Sequence, residues 1–517
     1  MAIATIDHPA QRLTQASRGS YPIPLDNATT AGFLGRTERG PVNEPKLVGS
    51  FAEYCRYFGG HFGDGAVSHA VHDFFLHGGR RAVVVRVTNR ATRSQIQVPS
   101  DTDPLLLRAR NPGRHELLRV SIDYEQVTND ECMFNMVVQR LAAGGSGLVE
   151  DQEIYPLIST RVEDNRFIGK VLRDSRLVSL DGPPPLQRPL ATPPDRPGDP
   201  VRYVPITIAG EDGDDLTDYD LIGSDRDQTG LFAFAKGPRI NLLAIPLPPD
   251  SDLGSTAFVA AARYCQDRRA LLIWDPPKDW SSVDAALLGS RRLAFASGNV
   301  MTYFPRIRPR GSQARYVNGM PASGAIAGMF AQRDRRGLWG QDESNDFALR
   351  AALTPVTKIE PAAAQRLARC GINAFVAANA GSARLVGGVT LSAGGLGPQA
   401  SSNLKRRRLQ MFILNAIEDA TTSASQRPDL GSAVLRVENQ LKRFFDDLYL
   451  RRALQGRTPG QAYFLHVHFT DTGRPQLHLG FALSEPGQFS EFSVEFDGAC
   501  AGHLQRIQAV EAEQLFS

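Results

Sequence analysis

The chain of 517 residues carries 58 Lys plus Arg against 55 Asp plus Glu, for a formal net charge of +3, and 42% of it is hydrophobic. Length alone implies about two to four domains at roughly 150 residues each, and so even a charge balance excludes a chain devoted to nucleic acid. No uninterrupted apolar run of about 18 residues is present, which excludes a membrane-spanning helix.

Met1–Ser20 is polar, without period and without the apolar core of a signal peptide; it reads as an extended arm. Ala31–Gly35 is a short apolar strand, and Ser50 caps a helix over Phe51–Phe58. A glycine loop leads to a second helix, Ala66–Leu76, stopped by Gly78 and Gly79, and Arg81–Val87 is a buried β-branched strand. From Asn89 the texture turns to closely spaced strands at Leu105–Arg108, Leu117–Tyr124, Met133–Gln139 and Arg176–Ser179, with a short helix at Phe167–Val171. Gly182–Pro200 holds eight prolines, too many for regular structure. Alternating strands and helices follow: strands Asn241–Pro246, Ala270–Trp274 and Val300–Phe304, with helices Thr256–Asp267, Val283–Phe295, Ala322–Asp334 and Ala362–Ala368. That spacing demands right-handed crossovers and a mostly parallel sheet. The last part has helices at Asn403–Ala420 and Ser432–Ala453, a hairpin of Ala462–Phe469 with Gln476–Leu483, and an alternating strand at Phe489–Phe496. The expected division is 1–20, an arm; 21–88, the first part of the core; 89–205, an inserted β-rich domain; 206–400, a central α/β domain; and 401–517, an α+β domain with the C-terminal arm.

Chemical motifs are weak. Cys55, Cys132, Cys265, Cys370 and Cys500 are scattered and never form C-x-x-C; they read as buried reduced thiols made in a cytoplasm. The glycines before Ala66 are not a phosphate loop, because G-x-x-x-x-G-K-[ST] is absent and a helix precedes them. No G-x-G-x-x-G follows Asn241–Pro246, so no dinucleotide is expected. His69 and His72, three apart on a helix, and nearby His77 could in principle bind zinc, but surface and cap roles account for them more simply. Glu211–Asp220 is acidic enough for calcium, yet lacks the glycine and final glutamate of an EF-hand register. There is no G-x-S-x-G, and no spacing singles out a Ser-His-Asp triad. No catalytic, cofactor or metal residues are assigned.

Ordered pieces across the chain carry a stronger signal. AGFLGRTERGPVNEPKLVGSFAEYCRYFGG (31–60) and AVSHAVHDFFLHGGRRAVVVRV (66–87) resemble the N-terminal signature of the contractile phage tail sheath protein family. Asn111–Val120, Tyr155–Val178, Gly210–Gly230, Asn241–Pro246, Asp275–Pro277, Gly324–Asp334, Leu404–Leu414 and Arg451–Phe464 resemble further family segments in the family's order. Ala368–Asn373 lacks the usual proline, and Asp497–Ser517 runs past the usual terminal strand.

The resemblance implies a multidomain α/β and α+β fold: a subtilisin-like central domain without a triad, a β-rich insertion, and a C-terminal domain with strand-exchanging arms. It implies a non-enzymatic subunit that polymerises as a six-fold helical stack around an inner tail tube protein. Its other partners would be baseplate and tail terminator proteins, with no cofactor, no nucleic acid and no stable membrane insertion. Contraction would drive the tube through an envelope and eject a genome from a virion tail assembled in the host cytoplasm. The same fold in a bacterial contractile injection system or tail-like bacteriocin is the alternative, and a subtilisin-like hydrolase a distant one. For strand exchange between subunits the resemblance points to Ile3, Ile6, Leu13, Tyr463, Leu465, Val467, Leu477, Leu479, Phe492, Val494 and Phe496. In the Ser432–Ala453 helix, Val434, Val437, Leu441, Phe444, Phe445 and Leu448 form one apolar stripe, and Arg436, Asn439, Lys442 and Arg443 lie off it as the residues implied to face the tube.

Overall fold

Strands that are near-continuously apolar, not alternating, belong between two covering layers, and five strands buried along their whole length form the centre of the fold. A computed structural model describes residues 23, 29–61, 65–127, 130–142, 146–193, 201–293, 295–312, 316–335, 337–338, 348–350, 353–377, 383–394, 402–425, 430–469, 475–497 and 500–506. The chain divides into two compact units, one of Ala28–Arg336 with Asp342–Leu404 and one of Lys405–Ser517 with Met1–Asn27 and Gly337–Gln341.

In the first unit, β1 is Ala31–Gly35, β2 Lys46–Val48 and β3 Ala82–Arg86. Between β2 and β3 run α1, Phe51–Phe58, and α2, Ala66–Leu76. The Ser50 side chain accepts the Glu53 N–H to start α1, a cap worth about 1 kcal/mol. After α2, Gly78 stands at φ +95, and a Cβ on Gly79 would lie 2.3 Å from the Phe74 ring.

Seven strands make the β-rich part: β4 Gln95–Val98, β5 Leu105–Ala109, β6 Leu118–Asp123, β7 Met133–Leu141, β8 Val149–Ser159, β9 Val178–Leu180 and β10 Val204–Pro205. A short α3, Ile168–Val171, precedes β9. They pair in the orders β10-β6-β7-β8 and β4-β5-β9, all antiparallel. Alternate residues of both sheets, among them Ile96, Leu107, Val120, Phe134 and Met136, meet in one core. The proline stretch has no regular structure over 183–193, yet it is pinned: Leu190 donates to Pro99 O at 2.7 Å, and the Arg188 guanidinium lies 3.7 Å from the Tyr124 ring centre.

The chain then returns through α4, Asp218–Ile222, to β11 Leu242–Ala244, α5 Ser255–Asp267, β12 Leu271–Trp274, α6 Val283–Arg292, β13 Val300–Phe304 and β14 Ile307–Pro309. Next come α7 Ser323–Asp334, β15 Leu353–Pro355, α8 Pro361–Arg369, β16 Asn373–Ala377 and β17 Ala383–Val386. The large sheet has the order β17-β16-β13-β12-β11-β1-β3-β2. Its six inner strands are parallel, and both edges, β17 and β2, run antiparallel. Because β1 lies between β11 and β3, residues 31–86 and 242–386 build one sheet and not two. The Gly/Ala-rich α7 crosses α2 closely: a Cβ on Gly324 would meet Ala70 O at 2.0 Å, and one on Gly328 would meet Phe74 O at 2.4 Å.

The second unit contains α9, Leu404–Ser425, α10, Leu430–Leu450, and α11, Pro459–Ala462. Its antiparallel sheet runs β18 Tyr463–Phe469, β19 Pro475–Ala482, β20 Phe489–Asp497 and β21 Cys500–Arg506. The α10 stripe expected from the heptad-like spacing is buried: Val434, Val437, Leu441, Phe444, Phe445 and Leu448 join Leu477, Leu479, Phe481, Phe492 and Val494 in one core.

Candidate functional site

The residues that form sequence motifs in the first unit are held by one another. Glu38 accepts the Gly60 N–H at 2.9 Å. Arg39, 4% exposed, places Nη2 2.7 Å from Glu150 Oε2 and donates to Cys55 O at 3.2 Å. Arg86, 1% exposed at the end of β3, donates through Nη1 to Gly40 O at 2.7 Å and to Pro112 O at 2.9 Å. Burial pushes its guanidinium down to about 10, against the opposing pull of Glu116 and Asp212. Asn43, at φ 56, accepts the Gly230 N–H at 2.9 Å. Asn373 Nδ2 donates to Thr302 O and Val389 O, while its Oδ1 accepts Gly388 and Val389 N–H at 2.7 and 2.9 Å. These polar groups bind the parallel sheet to the β-rich part and the loops to each other; the terminal nitrogens of Arg39 and Arg86 are met by main chain or by opposite charge, while the Nε of each is buried without a hydrogen-bond partner.

The Asp275–Pro277 turn does the same at the carboxyl ends of the parallel strands, where α/β folds usually place ligands. Asp275 Oδ1 accepts the Ala322 and Ser323 N–H groups at 2.7 and 2.9 Å, closing the first turn of α7 from 47 residues away in sequence. Arg306 donates to Pro276 O, Pro249 O and Asp252 Oδ1 at 2.8, 2.7 and 2.6 Å. The cavity between these groups is about 20 Å³, room for one water and not for a substrate. Burial raises the Asp275 carboxyl above its usual range. The folded state therefore holds that proton more tightly than the unfolded chain, and the contribution of Asp275 to stability is lost as pH rises from the ordinary carboxylate range through its folded value. Asp275→Asn should flatten the part of a urea-stability profile that lies above the ordinary carboxylate range, whereas Asp275→Ala should in addition cost about 1–2 kcal/mol by uncapping α7.

The three histidines singled out in sequence do not converge. His77 is buried apart, its Nδ1 2.7 Å from Asp73 O and its Nε2 accepting the Arg350 N–H at 3.1 Å. His69 and His72 instead neighbour His61, with ring centres 4.5 and 5.1 Å away. Among the described residues no three His, Cys, Asp or Glu side chains are arranged to hold a metal ion. The acids of Glu211–Asp220 are dispersed among partners: Asp212 pairs with Arg114 at 2.8 Å, Asp214 with Arg90 at 3.3 Å, and Asp220 completes a capping box with Thr217. Four cysteines, Cys55, Cys132, Cys265 and Cys370, are free thiols, but only Cys265 is fully buried, so burial throughout, as read from the sequence, does not hold.

In the second unit α10 presents two unlike sides. Arg436, Asn439, Lys442 and Arg443 are exposed, while the stripe between them is in the core. Asn439 Nδ2 donates back to Leu435 O at 2.9 Å. Of the expected strand-exchange residues, Ile3, Ile6 and Leu13 lie outside the described residues. Leu477, Leu479, Phe492 and Val494 are at most 3% exposed, Tyr463 is buried against Phe445 with ring centres 5.2 Å apart, and Leu465 and Val467 are half-buried. Phe496 lies in β20. β20 pairs with β19 of its own chain from Gln476↔Glu495 to Ala482↔Phe489, and β21 pairs with β20. Among the described residues the sheet ends at β18 on one side and β21 on the other. One feature of this region was missed in the sequence: β21, whose CAGHLQR lacks β-branched residues.

No protein-family model matches the chain, and no curated protein matches it. Solved structures do. A sheath tail protein from Listeria innocua is similar with a TM-score of 0.58 at 12% identity, covering 91% of this chain and 95% of that one. A sheath tail protein from Desulfitobacterium hafniense has a TM-score of 0.54 at 11% identity, over 98% of this chain and 100% of its own. The sheath complex of an extracellular contractile injection system, PVC, in its contracted state has a TM-score of 0.51 at 13% identity, over 94% and 97%. The chain therefore has the fold of these sheath proteins nearly from end to end.

Proposed function

We propose that this chain is the structural sheath subunit of a contractile tail, polymerising helically around an inner tube and contracting to drive that tube through an envelope. The observation that carries the reading is the fold likeness over 91–98% of this chain and at least 95% of each neighbour, shared with sheath tail proteins and with a contracted sheath. No reaction is assigned: the parallel sheet is read as a subtilisin-like frame without its chemistry, and labelling of one serine by a phosphonate would refute that. Subunits joined head to tail by contacts that do not close form helices, and the work of contraction is a difference in contact free energy between two packings. An arm, Met1–Ser20, adding to a neighbour's exposed sheet edge at β18 or β21 would keep subunits linked while their bodies move. The baseplate and a tail terminator would bound the stack.

The exposed Arg436, Asn439, Lys442 and Arg443 face of α10 is read as the surface that grips an acidic tube. Exposed ion pairs are worth about 0–1 kcal/mol each, weak enough to release during contraction. Full-length protein should form tubes in negative stain, and removal of Met1–Ser20 should leave a folded monomer without tubes. Reversing charge at Arg436, Lys442 and Arg443 together should abolish co-sedimentation with the tube protein and leave stability within about 0.5 kcal/mol; intact co-sedimentation would refute the assignment. A sheath fold found both in tail proteins and in an injection system makes the presence or absence of genome-filled heads on native particles the test between a phage tail, which ejects a genome, and a capsid-free injector or bacteriocin.

A further inference from the structure

The outer face of the three-stranded sheet β4-β5-β9 carries a charge arrangement that the fold does not need. Inward residues of this sheet, Ile96, Val98, Leu105, Leu107, Ala109 and Val178, are at most 1% exposed. The opposite positions on β5 and just beyond it are Arg108 and Arg110. β4 and β5 pair with Gln95 opposite Arg108. The register continues past β4, since the Ala109 N–H donates to Ser94 O at 2.8 Å, so Arg93 falls opposite Arg110. Directly opposed strand residues have their Cβ atoms about 5 Å apart, and successive outward residues of one strand lie about 7 Å apart. Three guanidiniums thus share the area of two residue pairs.

Like charges directly opposed across a sheet destabilise it, and their neutralisation here is incomplete. Asp181 lies 3.7 Å from Arg108 Nε and also accepts from Gln95 Nε2 at 3.1 Å. Arg110 donates to Arg173 O at 3.4 Å, a carbonyl and not a carboxylate. Among the described residues neither Arg93 nor Arg110 has a carboxylate within ion-pair distance. Arg93 responds to its neighbours: burial first, then Arg108 and Arg110, lower its basicity. Where arginines gather elsewhere on the same β-rich part, acids gather with them: Arg140 lies by Glu116, Glu150 and Asp151, and Arg176 by Asp151 and Glu153. What sets this face apart is that Arg93 and Arg110 stand directly opposed in register with Arg108 beside them, and one carboxylate, Asp181, serves all three.

We propose that Arg93, Arg108 and Arg110 form a binding site for a phosphate-type oxyanion, the chemistry shared by free phosphate and by the headgroup of an anionic phospholipid. The guanidinium fork matches the spacing of phosphate oxygens, and a dianion neutralises the excess charge at one point, which a single carboxylate cannot do. The site is independent of the sheath reading, because it rests on register and charge alone. Salt should weaken it, since the face is open to solvent.

The test uses the full chain at low ionic strength with two probes, inorganic phosphate by calorimetry and phosphatidylglycerol vesicles by sedimentation, with phosphatidylcholine vesicles as control. Arg93→Gln with Arg110→Gln removes two forks at exposed positions, where the fold should survive; Arg263→Gln on α5 controls for the loss of a positive charge away from this face. Saturable binding of either probe that falls roughly tenfold or more in the double variant and is unchanged in Arg263→Gln supports the site. Sedimentation with phosphatidylglycerol assigns the headgroup, and phosphate binding without sedimentation assigns the free anion. Equal binding by wild type and double variant, or no saturation below about 50 mM phosphate together with no sedimentation, overturns it.

Discussion

Replacing Arg86 by methionine should lower the stability of the unit that contains it by about 3–5 kcal/mol, the usual cost of removing one partner from a buried, charge-compensated group. The side chain is 1% exposed and ends at two carbonyls, Gly40 O and Pro112 O, which belong to two separated sequence motifs. Methionine fills the stem but gives neither carbonyl a donor. It also takes a nearby positive charge from Glu116, itself 1% exposed, which is left with Asn111 Nδ2 at 3.2 Å and Arg140 Nη1 at 3.9 Å. A shift of the urea midpoint at unchanged slope is the expected readout. Arg90→Met is the control: Arg90 is 84% exposed with Asp214 at 62%, and its loss should fall within about 0.5 kcal/mol. If desolvated charge is the cause, adding Glu116→Gln to Arg86→Met should recover part of the loss, a non-additivity that distant sites do not show. A loss under about 1 kcal/mol for Arg86→Met would mean that water reaches the seam and that the motifs are held by something else.

That seam also marks how far the sequence could be read. Period and composition were sufficient in places: VMTYF is a strand with the bounds expected of it, and Phe51–Phe58 starts at Ser50 because the cap is local, but the buried β16, Asn373–Ala377, and the half-buried β4, Gln95–Val98, were not read as strands. The long β8 was not legible. Its VEDQEIYPLIS places acids and Pro156 where a strand should show branched apolar residues, and the reason lies far off in sequence: Glu150 and Asp151 answer Arg39, Arg140 and Arg176. An edge strand also tolerates proline, which has no ladder hydrogen bond to lose on its open side. Likewise the E-R-G-P and D-P-P segments could be quoted for resemblance, but their physical work, Arg39 on Glu150 and Asp275 on the start of α7, depends on tertiary neighbours. For α10 the 3.6 period separated core from surface correctly. It identified Arg436, Asn439, Lys442 and Arg443 as exposed, and nothing in a single chain's periodicity names what such a face touches.

Phe445→Ala should be as costly in the second unit as Arg86→Met is in the first, for a different reason. Phe445 is fully buried between Tyr463, 5.2 Å away ring centre to ring centre, Phe444 at 5.7 Å and Phe481 at 6.0 Å. It is the aromatic that joins α10 to both strands of the β18–β19 hairpin, so truncation leaves a cavity walled by rings that cannot collapse from either side. Losses for buried Phe→Ala run about 3–5 kcal/mol. Hydrogen exchange is the sharper measure: amides of β19, paired on both sides, should lose roughly a hundredfold to a thousandfold of protection at that energy. Leu435→Ala, at a position 57% exposed on the same helix, should change protection little. The pair separates two roles of α10. Phe445→Ala should loosen the sheet and, with it, the helix that displays Lys442 and Arg443, whereas charge reversal on that face should leave β19 protected. If both changes loosen β19 equally, the basic residues are structural, and a gripping role for them fails on stability grounds before any tube is added.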